Sequence, residues 1–168
     1  MIDLSHLPFT QQMQFKEANV RGVYLSIACD MEFLMDDIIA KCEIDNQDER
    51  QEFRERKIIQ LEMGKKLGRC IKSLSEYRNG IYYKKFSTQF DIIEKLVHYR
   101  NLMAHGYSEY DEKKIDKSFI VFRNIDKGKK NEEKIEIMPF LINMEEYRSN
   151  LMRLLDLTSI LSAERGHK

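Results

Sequence analysis

An arginine and a histidine near the middle of the chain combine a permanent cation with a titratable ring. Arg100 and His105 lie five positions apart in the segment 99–107. Arginine stays protonated in proteins, whereas the histidine ring exchanges a proton close to neutral pH. The two side chains therefore form a candidate site for proton transfer beside a fixed positive charge.

The pair closes a segment whose apolar residues repeat at the spacing of an α-helix. Arg100 occupies a position where this stripe calls for an apolar residue, and Gly106 then ends the helix. On an ideal helix the bearings of Arg100 and His105 differ by about 140°. Both side chains can thus reach one cleft, although neither holds the other rigidly. The stripe consists of Phe90, Ile93, Val97, Arg100 and Ala104.

The composition is that of an ordered protein without a global charge. The 168 residues are 42% hydrophobic and 33% charged, which is enough apolar content for a buried core. The 28 basic residues balance 28 acidic ones, so no overall field attracts nucleic acid. We expect a single domain over residues 1–168, in which any site for a polyanion must be local.

The cysteines and the N-terminal segment indicate a cytoplasmic protein. Cys29, Cys42 and Cys70 are odd in number and scattered, without a histidine at ligand spacing, which favours reduced thiols and no metal site. The N-terminus lacks the basic and apolar regions of a signal peptide, and no apolar window is long enough for a membrane span. We expect a cytoplasmic chain with no membrane contact and no cofactor.

Apolar residues at three- and four-residue steps predict a first helix from about Thr10 to Cys42. Its apolar face is broad enough to need two neighbours, which is typical of a helical bundle or a dimer interface. Asp30 and Glu32 interrupt this face, either as solvated flank positions or, if one points at Arg100, as an acid candidate. The stripe is formed by Val20, Val23, Ile27, Met31, Leu34 and Ile38.

A second helix is predicted from about Gln47 to Ser75, with a charged first half and an apolar second half. Gly64 and Gly68 lie on one of its faces, and each costs about 1 kcal/mol relative to alanine within a helix. The spacing predicts a close approach of another helix there, with a helix break near Gly64 as the alternative. A turn follows at residues 78–80.

The segment 81–86 combines aromatic residues with Lys84 and Lys85. Such a composition can stack on nucleic-acid bases and contact phosphate, or it can form an aromatic loop that packs on the bundle. Ser87 or Thr88 is predicted to cap the third helix, which ends with the arginine and the histidine.

Two β-branched and aromatic runs predict a β-hairpin over about residues 118–138. Pro139 ends its second strand, and Asn143 is predicted to cap the final helix. The fold class is therefore all-α, a bundle of about four helices with a short hairpin inserted before the last. Three lysines near the hairpin tip are candidate phosphate contacts: Lys127, Lys129 and Lys130.

The residues that end the third helix resemble the signature of HEPN domains, a family named for nucleotide binding in higher eukaryotes and prokaryotes. That signature is an arginine, a polar residue, three further residues and a histidine, which Arg100, Asn101 and His105 match. Toxin members that accompany a small nucleotidyltransferase often add one residue and a tyrosine, as Gly106 and Tyr107 do. Over the remaining chain the resemblance rests on helix count and order, and the hairpin is a departure from the minimal toxin.

The resemblance implies a metal-independent endoribonuclease of a toxin or defence system, which acts as a homodimer with two Arg-His pairs facing one cleft. RNA would be the substrate and a nucleotidyltransferase-type antitoxin a partner. In this interpretation His105 transfers protons, and Arg100 binds the phosphate and stabilises the charge of the transition state. Asn101 orients the reacting groups by hydrogen bonding. Tyr107 would either pack or be the target of modification by the antitoxin.

Interpretations without catalysis stand beside this one. Arg100 can pair with Glu32 or Glu94 and join helices, while His105 at a helix C-terminus gains from the helix dipole. His98 lies on nearly the same helix face as His105, and packing or solvent contact is expected for it. The chain can instead be a non-catalytic HEPN module for nucleotide binding or dimerisation, or a structural helical protein.

Overall fold

The computed structural model describes residues 4–108, 119–126 and 129–166, and most of these are helical. The predicted all-α class, with a hairpin before the last helix, is confirmed. The strands form one antiparallel sheet in the order β1-β2-β3. The elements are α1 (Phe9–Glu43), α2 (Gln47–Phe53), α3 (Met63–Glu76), α4 (Ile81–His105), β1 (Tyr107–Ser108), β2 (Phe119–Asp126), β3 (Lys129–Glu136) and α5 (Ile137–Gly166).

Helix α1 agrees with its prediction within one residue at each end. Its predicted stripe is buried from Val20 to Ile38, apart from Val23, which is half-buried. Tyr24 is also fully buried, although the predicted stripe did not include it. Asp30 is exposed, as expected of a solvated flank position.

The prediction of one continuous second helix is wrong, and the alternative of a break near Gly64 is right. Helix α2 ends at Phe53, a π-helical turn covers Arg54–Ile58, and α3 begins at Met63. A Cβ atom at Gly64 would lie 3.7 Å from Cγ1 of Val97 on α4, which is an ordinary contact, and one at Gly68 would meet nothing within 4 Å. The close helix approach predicted at the two glycines is therefore not found at Gly68, and at Gly64 the contact is of normal length. The buried face of α3 includes Met63, Leu67, Cys70 and Leu74, while Gly64 and Gly68 are exposed.

The turn at residues 78–80 is confirmed, and its backbone is left-handed throughout. The φ angles are 49° at Arg78, 58° at Asn79 and 73° at Gly80. Asparagine and glycine tolerate this region, whereas arginine adopts it at a cost. Helix α4 can begin directly after the turn because Gly80 completes the reversal.

The predicted cap of the third helix at Ser87 or Thr88 is wrong, since α4 already begins at Ile81. The backbone leaves helical geometry once, at Phe86, with φ −114° and ψ 16°. Ser87 donates a hydrogen bond to the carbonyl oxygen of Lys84, 3.4 Å away, beside this kink. The aromatic segment is therefore the first turn and a half of a kinked helix.

The start of the last helix also differs from its prediction. Helix α5 begins at Ile137, so Asn143 lies inside it and does not cap it. Ile137, Phe140 and Met144 are buried at helical spacing, which favours helix over a longer strand. Pro139 fits in the first turn, where a missing N–H has no intrahelical acceptor to lose.

The contacts divide the chain into two compact units. The first unit comprises Met1–Ser26 with His98–Glu146, and the second comprises Ile27–Val97 with Tyr147–Lys168. The single domain expected over residues 1–168 stays a prediction. The first unit has a core of helix and sheet residues that includes Met13, Val20, Tyr24, Met103, Ile120, Phe122 and Met144.

The second unit buries an ion pair in its core. Lys66 is 3% exposed, and its Nζ lies 3.1 Å from the carboxylate of Asp36, which is 5% exposed. Burial raises the pKa of Asp36, and the neighbouring Lys66 partly opposes that rise. Glu32 lies 3.4 Å from the same ammonium group. Glu32 thus contacts Lys66 within the second unit.

Candidate functional site

The C-terminal end of α4, which carries His105, is held by an arginine from α1. The guanidinium of Arg21 donates hydrogen bonds to the carbonyl oxygens of Met103 and Gly106, the latter over 2.6 Å. Met103 belongs to the last turn of α4, where a helix leaves its carbonyl acceptors unsatisfied, and Gly106 follows that turn directly. A half-buried cation at this place also complements the negative end of the helix dipole.

Arg21 is itself fixed from two sides. Its Nε lies 2.6 Å from the carboxylate of Glu17, one helical turn earlier on α1. The guanidinium also stacks over the ring of Phe122 on β2, with 4.6 Å from Cζ to the ring centroid. The Ser108 hydroxyl donates to the same Glu17 carboxylate. The end of α4 is therefore tied to α1 and to the sheet.

Glycine is the only residue type that fits at position 106, where the chain leaves α4. Its amide donates to the carbonyl oxygen of Leu102 over 2.8 Å, and a Cβ atom at this position would lie 2.5 Å from that oxygen. A Cβ so close to a backbone oxygen forces the chain apart. The glycine predicted to end the helix is thus required by a close backbone approach.

The two signature side chains lie on the same helix and differ in exposure. His105 is the last residue of α4 and is exposed, while Arg100 is half-buried. The predicted continuation of the apolar stripe to Ala104 is wrong, because Ala104 is exposed. Leu102 and Met103 are buried there instead. The histidine ring is therefore open to a ligand, and Arg100 lies nearer the protein interior.

Asn101 and Tyr107 are described in their backbone only. Asn101 lies in α4, and Tyr107 opens the short strand β1, where it pairs in register with Arg123 of β2. The strand β1 was not predicted. Its two residues carry too little pattern for a sequence-based assignment.

His98 takes part in a small polar group beside the aromatic core of the first unit. Its Nε2 lies 3.2 Å from a carboxylate oxygen of Glu133, and its ring packs edge-on against Tyr99. Burial, followed by the charge of Glu133, raises the pKa of the Tyr99 hydroxyl. The contacts of His98 agree with the packing or solvent contact expected for it.

The predicted basic contacts are divided between the described and the undescribed parts of the chain. Lys84 and Lys85 are exposed residues of the second unit. Lys127 lies outside the described residues, and only the backbone of Lys129 and Lys130 is described, at the start of β3. The structure thus tests none of these five lysines as an RNA contact.

The aromatic rings next to Lys84 pack within the protein. Tyr82 lies 6.1 Å from the ring of Tyr77, and both hydroxyls donate to the carboxylate of Glu164. Tyr83 lies 6.2 Å from the ring of Phe90. This arrangement agrees with the alternative that the aromatic residues of the segment pack on the bundle.

The described residues hold neither a metal-binding cluster nor a membrane-spanning helix. No group of three or more histidine, cysteine, aspartate or glutamate side chains there is placed to hold a metal ion. Within the same residues, no helix combines the length and apolar character that crossing a membrane requires.

Comparisons of the chain with models of protein families, with characterised proteins and with solved structures find no significant match. The likeness to HEPN domains therefore rests on the residues that close α4 and on helix count and order.

Sequence reasoning missed Arg21, the residue that anchors the site. Glu17 and Arg21 have the four-residue spacing of an ordinary pair on a helix surface. The carbonyl oxygens that Arg21 binds come from residues more than 80 positions later. A local pattern cannot reveal such a contact.

Proposed function

We propose that the protein is a metal-independent endoribonuclease whose reacting groups are His105 and Arg100. The observation that carries the proposal is the exposed histidine at an anchored helix end, with the half-buried Arg100 on the same helix. Its residue types and spacing match the HEPN signature. A fixed helix end keeps the ring in place, and positioning is a large part of catalysis.

The proposed reaction is cleavage of RNA by the neighbouring 2′-hydroxyl. One histidine accepts the 2′-hydroxyl proton, and the 2′-oxygen forms a bond to phosphorus. The bond from phosphorus to the 5′-oxygen breaks, and that oxygen receives a proton from a second histidine. The products are a 2′,3′-cyclic phosphate and a 5′-hydroxyl. The guanidinium of Arg100 neutralises the charge on the phosphorane.

A symmetric dimer supplies the two histidines, since each chain offers one at this place. In this proposal His105 acts as base and His105 of the partner subunit acts as acid. Asn101, next to Arg100, orients the reacting groups by hydrogen bonding. The site thereby requires two copies of the chain.

A toxin or defence role belongs to the same proposal. Tyr107 follows the fixed Gly106 and opens β1. A nucleotidyltransferase-type antitoxin that modified its hydroxyl would place a bulky, charged group two residues from His105. Such a modification would block RNA at the site and silence the toxin.

The proposal is tested by incubating the purified chain with a mixture of single-stranded RNAs in the presence of a chelator. His105→Ala and Arg100→Ala are expected to abolish cleavage. His98→Ala is the matched control, because it removes an exposed histidine from the same helix. Equal cleavage by all four proteins would identify a contaminant. Absence of cleavage by the unaltered dimer would contradict the proposal and favour a non-catalytic binding or dimerisation module.

A further inference from the structure

A polar cleft in the second unit is a candidate binding site that the proposed function does not use. It has a volume of about 450 Å³, within the range of small-molecule sites, and every side chain that lines it is polar or charged. Helix α1, helix α2 with the π-helical turn that follows it, and the end of α5 contribute to its walls. Its charged residues are Lys41, Arg50, Arg54 and Arg165 together with Asp37 and Asp45.

Two of the four cations are neutralised inside the cleft. The Lys41 ammonium lies 2.5 Å from Asp37, and the Arg165 guanidinium pairs with Asp45. Lys41 and Arg165 also donate to backbone carbonyl oxygens, which fixes them in the wall. The remaining two cations give the cleft a positive excess.

Arg50 and Arg54 supply this excess, and they lie one helical turn apart on the same wall. Arg50 donates to the carbonyl oxygens of Ile44 and Asp45, each over 3.0 Å, and forms no ion pair with a described residue. These bonds use Nε and one terminal nitrogen. The other terminal nitrogen remains available to a ligand.

Arg54 is held in position, but its guanidinium nitrogens keep hydrogen-bonding capacity for a ligand. Its guanidinium stacks over the ring of Phe33, 4.6 Å from the centroid. Its one ion pair with a described residue is to Asp37 at 3.9 Å, beyond hydrogen-bond distance, and Asp37 already binds Lys41. A stacked guanidinium keeps its edge nitrogens free for a planar, bidentate contact.

We propose that this cleft binds a small anion with two or more phosphate groups, of the size of pyrophosphate or a nucleoside diphosphate. Two guanidinium groups one turn apart match two neighbouring phosphates, and the absence of apolar lining excludes a hydrophobic ligand. The amide of Gln47, on the same wall, can donate to a further oxygen. The same phosphate chemistry occurs in an RNA backbone, so the test must separate the two sources.

The test is calorimetric titration of the full chain with pyrophosphate, with adenosine diphosphate and with a short single-stranded RNA. Arg54→Gln and Arg50→Gln are expected to weaken binding of the diphosphates by about tenfold or more, because each loses a charged hydrogen bond. Arg54→Lys keeps the charge without the fork and is expected to recover part of the loss. Arg56→Gln is the matched control, since Arg56 is exposed, pairs with Glu52 at 2.8 Å and lies outside the cleft.

Several outcomes would overturn the proposal. The proposal fails if neither pyrophosphate nor adenosine diphosphate binds. It also fails if Arg56→Gln weakens binding as much as Arg54→Gln, because that result would indicate non-specific attraction. Binding of RNA alone that depended on Arg54 would assign the cleft to a polynucleotide instead. His105→Ala is expected to leave diphosphate binding unchanged, so failure of the ribonuclease proposal and failure of this one are distinguishable. Circular dichroism confirms that each variant is folded.

Discussion

Arg21 donates a hydrogen bond to the carbonyl oxygen of Gly106 over 2.6 Å, and so joins α1 to the residue that follows His105. The bond is one of several that Arg21 makes, including a bond to Met103 and a salt bridge to Glu17. The position of the histidine thus depends on a residue that belongs to another helix.

Replacing Arg21 by methionine should lower the free energy of unfolding by about 2 kcal/mol, because carbonyl acceptors lose a charged donor. Urea denaturation measures the change. Arg56→Met is the control, since an exposed pair of this kind contributes less than about 1 kcal/mol. RNA cleavage should fall more in Arg21→Met than in the control. Equal stability of the two variants would show that Arg21 does not anchor α4.

Gly106→Ala should lower the free energy of unfolding by about 1–3 kcal/mol, because the new Cβ lies 2.5 Å from the Leu102 carbonyl oxygen. Gly68→Ala provides the opposite case within α3, where a Cβ meets nothing within 4 Å. That variant should gain up to about 1 kcal/mol from helix propensity. Thermal denaturation of the two variants compares them directly. A neutral Gly106→Ala would contradict the close approach at the end of α4.

Lys66→Met should cost about 3–5 kcal/mol at neutral pH, because it leaves the buried Asp36 carboxylate without its cation. The pKa of Asp36 is already raised by burial and should rise further in the variant. The folded state then binds a proton more tightly than the unfolded state. The stability that protonated Asp36 contributes is therefore fully present below the pKa that Asp36 has in the unfolded chain. It is lost as the pH rises through the pKa that Asp36 has in the folded chain.

The difference in the free energy of unfolding between Lys66→Met and the unaltered chain should consequently shrink as the pH falls from neutrality. It should be smallest near the pKa that Asp36 has in the unfolded chain. Urea denaturation over a pH series measures this dependence. Lys65→Met, at an exposed neighbouring lysine paired with Glu62, should show little change at any pH. A deficit that stays constant or grows on acidification would contradict the buried pair.

The thiols should differ sharply in reactivity. Cys29 is exposed, whereas burial raises the pKa of Cys42 to about 12 and that of the fully buried Cys70 well above its usual value. Because the thiolate is the reactive form, one thiol should react rapidly with a disulfide reagent near pH 8 and three in denaturant. Cys29→Ser should remove the rapid phase. Two rapid phases in the native chain would contradict the burial of Cys42 and Cys70.

The sequence predicts the long helices and the hairpin well, because their apolar residues repeat over many turns. It fails where tertiary packing overrides local pattern. Lys66 was not part of the predicted apolar face of the second helix, yet it is buried against Asp36 of another helix. Pro139 looked like a strand end, yet it fits the first turn of α5.

The candidate site divides in the same way. Arg100 and His105, with Gly106 directly after them, could be identified from residue type, order and spacing at the end of one helix. Arg21 could not be, since its hydrogen bonds join segments distant in sequence. The polar cleft was missed for a related reason: Lys41, Arg54 and Arg165 come from three elements and meet only in the folded chain.

The most direct test of the central claim is the chemistry of the RNA ends after cleavage in the presence of a chelator. Attack by the 2′-hydroxyl predicts a 2′,3′-cyclic phosphate and a 5′-hydroxyl, with no cut at a 2′-deoxy nucleotide placed at the cleavage position. His105→Ala should give neither product, while His98→Ala should give both. Products with a 5′-phosphate, or cleavage that persists at the 2′-deoxy position, would contradict the assignment of His105 and Arg100 as the reacting groups.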